Sequence, residues 1–228
     1  PPPPPPPHTH TLYLSSAASD VYKRQHTFLT WSIRNMNSQE VLDRLKAGNE
    51  RFVSDKLDGK LQDSSRRDSL TGGQEPYAII LSCADSRVVP EFCFDAGLGE
   101  LFVVRVAGNV ANTSSIGSIE YAVANIGCPL LIVMGHQNCG AVTAAIGGGD
   151  NGYNINHLLA HVTPALAACG GDDVNAVVKK NAELTVAALS SRSTIIGDAV
   201  AAGKLQVVPA YYELGSGRVE FLTELRET

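Results

Sequence analysis

Apolar and polar positions alternate along this chain at two periods. Val41, Leu42, Leu45 and Phe52 recur at helical spacing behind Ser38, a candidate N-cap, and predict a first helix over 38–53. Residues 55–73 are polar and read as a loop holding a short helix. Continuous apolar runs follow at 77–82, 101–106, 130–134 and 205–212, each short enough for a strand buried on both faces. Helical patterns separate them. Pro90 opens a short helix, and residues 114–126 predict another, capped by Ser114 or Ser115 and stopped at Gly127. Further helices are predicted over 139–146, 156–168, 173–190 and 194–202. The turn at 215–217 leads into a last strand over 218–222. Strands that alternate with helices at this spacing predict an α/β fold, a mostly parallel β-sheet flanked by helices and joined by right-handed crossovers.

Two of the strands end in chemistry. Cys83, Ala84, Asp85, Ser86 and Arg87 follow the 77–82 run, and His136, Gln137, Asn138 and Cys139 follow the 130–134 run. Open α/β sheets place their sites at the carboxyl ends of strands. Two thiolates and one imidazole suit Zn²⁺, and three ligands leave a fourth position for water or for the Asp85 carboxylate. Alternatively, Cys83 and Cys139 are small buried hydrophobes. That reading leaves Asp85, Ser86 and Arg87 unexplained, because polar groups beside a buried strand are costly unless they are paired. His157 and His161 lie four apart on a predicted helix, a spacing that serves either a metal or a plain polar face.

The C-x-D-S-R and H-x-x-C-G motifs resemble those of the β-class carbonic anhydrases. So do the segments at 95–99, 102–109, 117–123 and 134–141, and the resemblance runs from about Ser38 to the C-terminus. It implies a zinc enzyme that reversibly hydrates carbon dioxide to bicarbonate and a proton, with Cys83, His136 and Cys139 as ligands. It implies that Asp85 accepts a hydrogen bond from the reacting water and that Arg87 keeps Asp85 ionised and aimed. In some members the aspartate swings onto the metal when that pair breaks. By motif position Gln74, Phe102 and Tyr121 line the substrate pocket, with Phe102 and Tyr121 reaching in from a neighbouring subunit. Without the resemblance these would be a loop residue and two core aromatics. Gly140 permits close approach of backbone at a helix start, near a developing anion. The implied assembly is a homodimer or a dimer of dimers, with the first helix on the partner. Ala84 stands where the family often has serine, and no tryptophan follows Trp31, which favours the constitutively open subgroup.

Composition narrows the alternatives. A formal charge of -5 with no basic run gives no footing for nucleic acid or an anionic membrane surface. No apolar run approaches the roughly 20 residues of a membrane span. Five cysteines at scattered spacing argue against a disulfide framework and for a reducing, cytoplasmic setting, and Cys93 reads as buried. Residues 1–35 read as a non-native or disordered segment. They open on a proline homopolymer, and 15–25 resemble the translation of a transposase sequencing adaptor. The catalytic domain is then 36–228, with Met36 as a plausible start. The same fold also admits a non-catalytic zinc protein, such as a bicarbonate sensor or scaffold, or an enzyme acting on another heterocumulene such as carbon disulfide.

Overall fold

The computed structural model describes residues 36–225; the expectations about the N-terminal segment lie outside them. Five strands form one sheet in the order β2-β1-β3-β4-β5: β1 Ala78–Ser82, β2 Leu101–Arg105, β3 Leu130–His136, β4 Gln206–Tyr212 and β5 Val219–Phe221. The first four are mutually parallel and β5 returns antiparallel to β4. Every residue of β1 and β3 is buried, as their unbroken apolar runs require.

Nine helices are described around the sheet: α1 Ser38–Val53, α2 Ser64–Ser69, α3 Pro90–Cys93, α4 Thr113–Tyr121, α5 Gly140–Gly147, α6 Tyr153–Ala160, α7 Thr163–Cys169, α8 Val174–Arg192 and α9 Thr194–Ala201. In α1, Val41, Leu42 and Leu45 are buried as their spacing predicts. Gly48 lets this helix meet the end of α3, since a Cβ there would sit 1.9 Å from the Phe94 carbonyl oxygen. Along α8, Val177 and Val178 pack with Cys83, Cys139 and Tyr211. Further on, Ala182 and Leu189 pack with Ile79, Leu81, Leu131 and Val133. One long helix thus supports both the central strands and the cysteines at their ends.

Three local expectations are corrected. The cap of α1 is Asn37, not Ser38: its Oδ1 accepts from the Glu40 amide while its own amide donates to Glu40 Oε2, a reciprocal capping box. Asn112 caps α4 by accepting from the Ser115 amide, and α4 passes into a π-turn at 122–126 before Gly127 stops it at φ 80°. The single helix expected over 156–168 is two, because the chain turns at His161 and Val162 and Pro164 enters the first turn of α7.

Candidate metal centre

The chain runs from β1 outward to β2 and then from β2 back across β1 to β3, so the sheet's switch point lies between β1 and β3. The crevice at their carboxyl ends is where such sheets bind ligands. Ser82 pairs with Met134 in the register, so Cys83, just past β1, and His136, the last residue of β3, reach the same edge of the sheet. Cys139 arrives as the residue before α5.

The donor atoms of Cys83, His136 and Cys139 lie within 4.8 Å of one another, and all three residues are buried. Among the described residues they form the only cluster of three or more metal-ligating side chains. The two sulfurs are 4.0 Å apart. Tetrahedral zinc with sulfur ligands at roughly 2.3 Å would set them about 3.8 Å apart. His136 Nδ1 sits 2.9 Å from the Gln137 carbonyl oxygen, which assigns its proton to that nitrogen. Nε2 is then an acceptor, fully buried, with no hydrogen-bond partner. A buried lone pair left facing two sulfurs is what a metal cation would satisfy, so the residues fit the group.

The sulfurs are unequal. The Cys83 thiol is drawn well below its ordinary value, first by Cys139, with His136 and the Asp85 and Gly108 amides helping against the opposing effect of burial. The Gly108 amide lies 3.3 Å from this sulfur. The Cys139 thiol is pushed up by its contact with Cys83 and by burial. Two adjacent buried thiolates repel, and a divalent cation between them removes that conflict.

Asp85 and Arg87 adjoin the three donors. Arg87 Nε and Nη2 donate to Asp85 Oδ1 and Oδ2 at 2.9 and 2.6 Å, and the Arg87 amide adds a third bond to Oδ1. Arg87 therefore holds the Asp85 carboxyl far below the usual carboxylate range. Asp85 stands outside the mutually close donor group in this structure.

Sequence reading missed Arg105. At the end of β2, opposite Ser82, it donates from Nε to the Cys83 carbonyl at 3.0 Å and from Nη2 to the Asp85 carbonyl at 2.6 Å. It fixes the backbone of the loop that presents both residues. A strand-terminal arginine was the available signal, but its target depends on strand register.

The expected pocket residues are dispersed. Gln74 is exposed ahead of β1, and Gly140 is the exposed first residue of α5. Phe102 packs against the cluster containing Ile79 and Ile119, not the one containing Cys83 and Cys139. Its ring centroid is 6.4 Å from that of Tyr121, a residue 54% exposed. Cys93 is 1% exposed, and burial pushes its thiol up to about 11, as befits a core residue. His157 and His161 pack edge to face with centroids 5.5 Å apart.

Fold and site together define a protein with a buried Cys-Cys-His cluster able to hold a metal, beside an ionised carboxylate at the carboxyl edge of a mostly parallel sheet. Residues 78–219 match the family model described as carbonic anhydrase. Carbonic anhydrase 2 of Mycobacterium tuberculosis is 39% identical over 191 residues, covering 81% of this chain and 92% of the relative. Carbonic anhydrase of Mycolicibacterium smegmatis is 40% identical over 198 residues, covering 84% and 96%. The solved Coccomyxa β-carbonic anhydrase in complex with acetazolamide superposes with a TM-score of 0.66 at 29% identity, covering 78% of this chain and 84% of that one. The chain belongs to the β-carbonic anhydrase family.

Proposed function

We propose that the protein reversibly hydrates carbon dioxide to bicarbonate and a proton, using zinc held by Cys83, His136 and Cys139. The observation that carries this reading is the orphaned, buried Nε2 of His136 facing two sulfurs beside an arginine-held carboxylate. Zinc there would supply a Lewis acid able to bring the pKa of water from 15.7 to about 7. Asp85, kept ionised by Arg87, can only accept hydrogen bonds. A water donating to Asp85 is thereby turned with its lone pair toward the substrate carbon. Arg105 and the Gly108 amide hold the loop and the Cys83 sulfur in place while this happens.

Gln74, Phe102, Tyr121 and Gly140 are proposed to bound the substrate pocket, with Phe102 and Tyr121 supplied by a second copy of the chain. Three features support this. β2 is an edge strand, Tyr121 is exposed beside it, and Phe102 packs away from its own cysteines. The proposed unit is a homodimer or a dimer of dimers. Thiolate ligands and reduced cysteines favour the cytoplasm, and no helix among the described residues is long and apolar enough to cross a membrane. We take 36–228 as the catalytic domain, since the proposed site draws its residues from 74–140. A closed, non-catalytic zinc protein would not need the Asp85–Arg87 fork.

The test is stopped-flow hydration of carbon dioxide with a pH indicator on the zinc-loaded chain. The proposal expects turnover at pH 7–9 that scales with bound zinc. Full zinc occupancy without turnover would overturn it.

A further inference from the structure

Away from the metal centre, a cavity of about 220 Å³ opens between α6, α7 and α8, beside the segment after β2. Its walls are largely apolar, formed by Val110, Ala111, Pro164, Leu184 and Ala188. Its polar lining is Asn181, Thr185, His161 and Arg192, with no carboxylate among the lining residues. Arg44, Arg51, Arg87 and Arg218 each pair with an acid. Among the described residues, Arg192 donates only to the Ala111 carbonyl, from Nη1 at 2.5 Å, and no carboxylate forms an ion pair with it. A guanidinium has five donors, so most of its capacity is unused.

His161 stands in the same positive field. Burial lowers its pKa first, and the charge on Arg192 and the neighbouring His157 ring lower it further. An anion between His161 and Arg192 would offset that positive field. A lone inorganic ion would leave most of the space empty, since a water's share of volume is roughly 30 Å³. The cavity also adjoins the metal site through the backbone. Asn181 Nδ2 donates to the Gly108 carbonyl at 2.9 Å, and the Gly108 amide donates to Cys83.

We infer that this cavity is a binding site for a small organic carboxylate, its charged end between His161 and Arg192 and its apolar body against Val110, Pro164 and Leu184. The site is independent of the carbon dioxide reading.

Benzoate titrated calorimetrically into the zinc-loaded full chain tests it, with the His161 ring followed by NMR. Benzoate is expected to bind and to raise the His161 pKa, while benzamide does not bind. Arg192→Ala and His161→Ala should each weaken binding about tenfold or more, the scale of one lost charge-assisted hydrogen bond. His161→Ala leaves the Arg192–Ala111 contact intact, so it serves if Arg192→Ala fails to fold. Benzoate affinity unchanged in both variants would place the ligand outside this cavity and overturn the inference. An unmoved His161 resonance at saturation would overturn it too, and formate binding as tightly as benzoate would overturn the role of the apolar walls.

Discussion

Asp85 Oδ2 lies 3.8 Å from His136 Nε2 while both carboxylate oxygens accept from Arg87. One carboxylate is therefore poised between an arginine that holds it and the nitrogen proposed to hold the metal. Removing the arginine frees Asp85 without touching a ligand. Arg87→Ala and Asp85→Asn are each expected to cut carbon dioxide turnover by roughly 10²-fold or more, the scale of a lost proton-handling group. Zinc content should stay at the wild-type level. Stopped-flow rates set against elemental analysis of the same samples check this. Unchanged turnover in Arg87→Ala would remove the proposed role of the pair.

The ligands themselves should behave differently. Cys83→Ala or His136→Ala leaves two donors and an uncompensated buried group, so zinc should be lost on dialysis in both variants. Because a metal that binds only the folded chain stabilises it by mass action, chelation of the wild type should lower Tm. The variants should then melt near the chelated wild type and show no response to chelator. A variant that keeps stoichiometric zinc would contradict the assigned ligand.

Much of this was legible from residue order. The unbroken runs at 77–82 and 130–134 marked the two central strands, and the polar residues after each marked their carboxyl ends. What local pattern did not carry was register and competition between neighbours. Arg105 reaches Cys83 and Asp85 only because β2 pairs with β1 at that offset. Asn37 and Asn112 displaced the expected serine caps because asparagine caps as well as serine does, and the chain geometry chose between adjacent candidates. Pro164, in the first turn of α7, stands beside the break between α6 and α7, which a single helix over 156–168 overlooks. Phe102 and Tyr121 were legible only through motif position, since within one chain they pack apart from Cys83 and Cys139.

Asp95 gives a pH-dependent contribution to stability. Burial by itself would raise its pKa. The Arg51 guanidinium at 2.5 Å and the Asp58 and Gly59 amides outweigh burial and leave it below the ordinary value. A carboxyl depressed on folding stabilises above its unfolded pKa of about 3.9 and loses that contribution as pH falls through the folded value. Wild type should thus exceed Asp95→Asn in urea midpoint at pH 7, with the gap closing below about pH 4. A gap that stays constant with pH would mean that shape, not charge, makes the difference.

Asn49 joins three parts of the fold with one buried amide, 3% exposed. Its Nδ2 donates to the Cys93 carbonyl at 3.0 Å and the Gly217 carbonyl at 2.8 Å, and its Oδ1 accepts from the Val219 amide at 2.8 Å. It thereby ties α1 to the end of α3 and to the β4–β5 turn. Asn49→Ala leaves all three backbone groups without that partner, at about 1–3 kcal/mol for each that stays dry. The expected loss is about 3 kcal/mol or more, read as a lower urea midpoint with an unchanged slope. Asn49→Asp keeps the acceptor for Val219 but loses both donors and buries a charge, so it should be destabilised at pH 7. It should recover partly in mild acid, where a protonated carboxyl regains one donor. A loss under about 1 kcal/mol in Asn49→Ala would show that water replaces the amide at this junction.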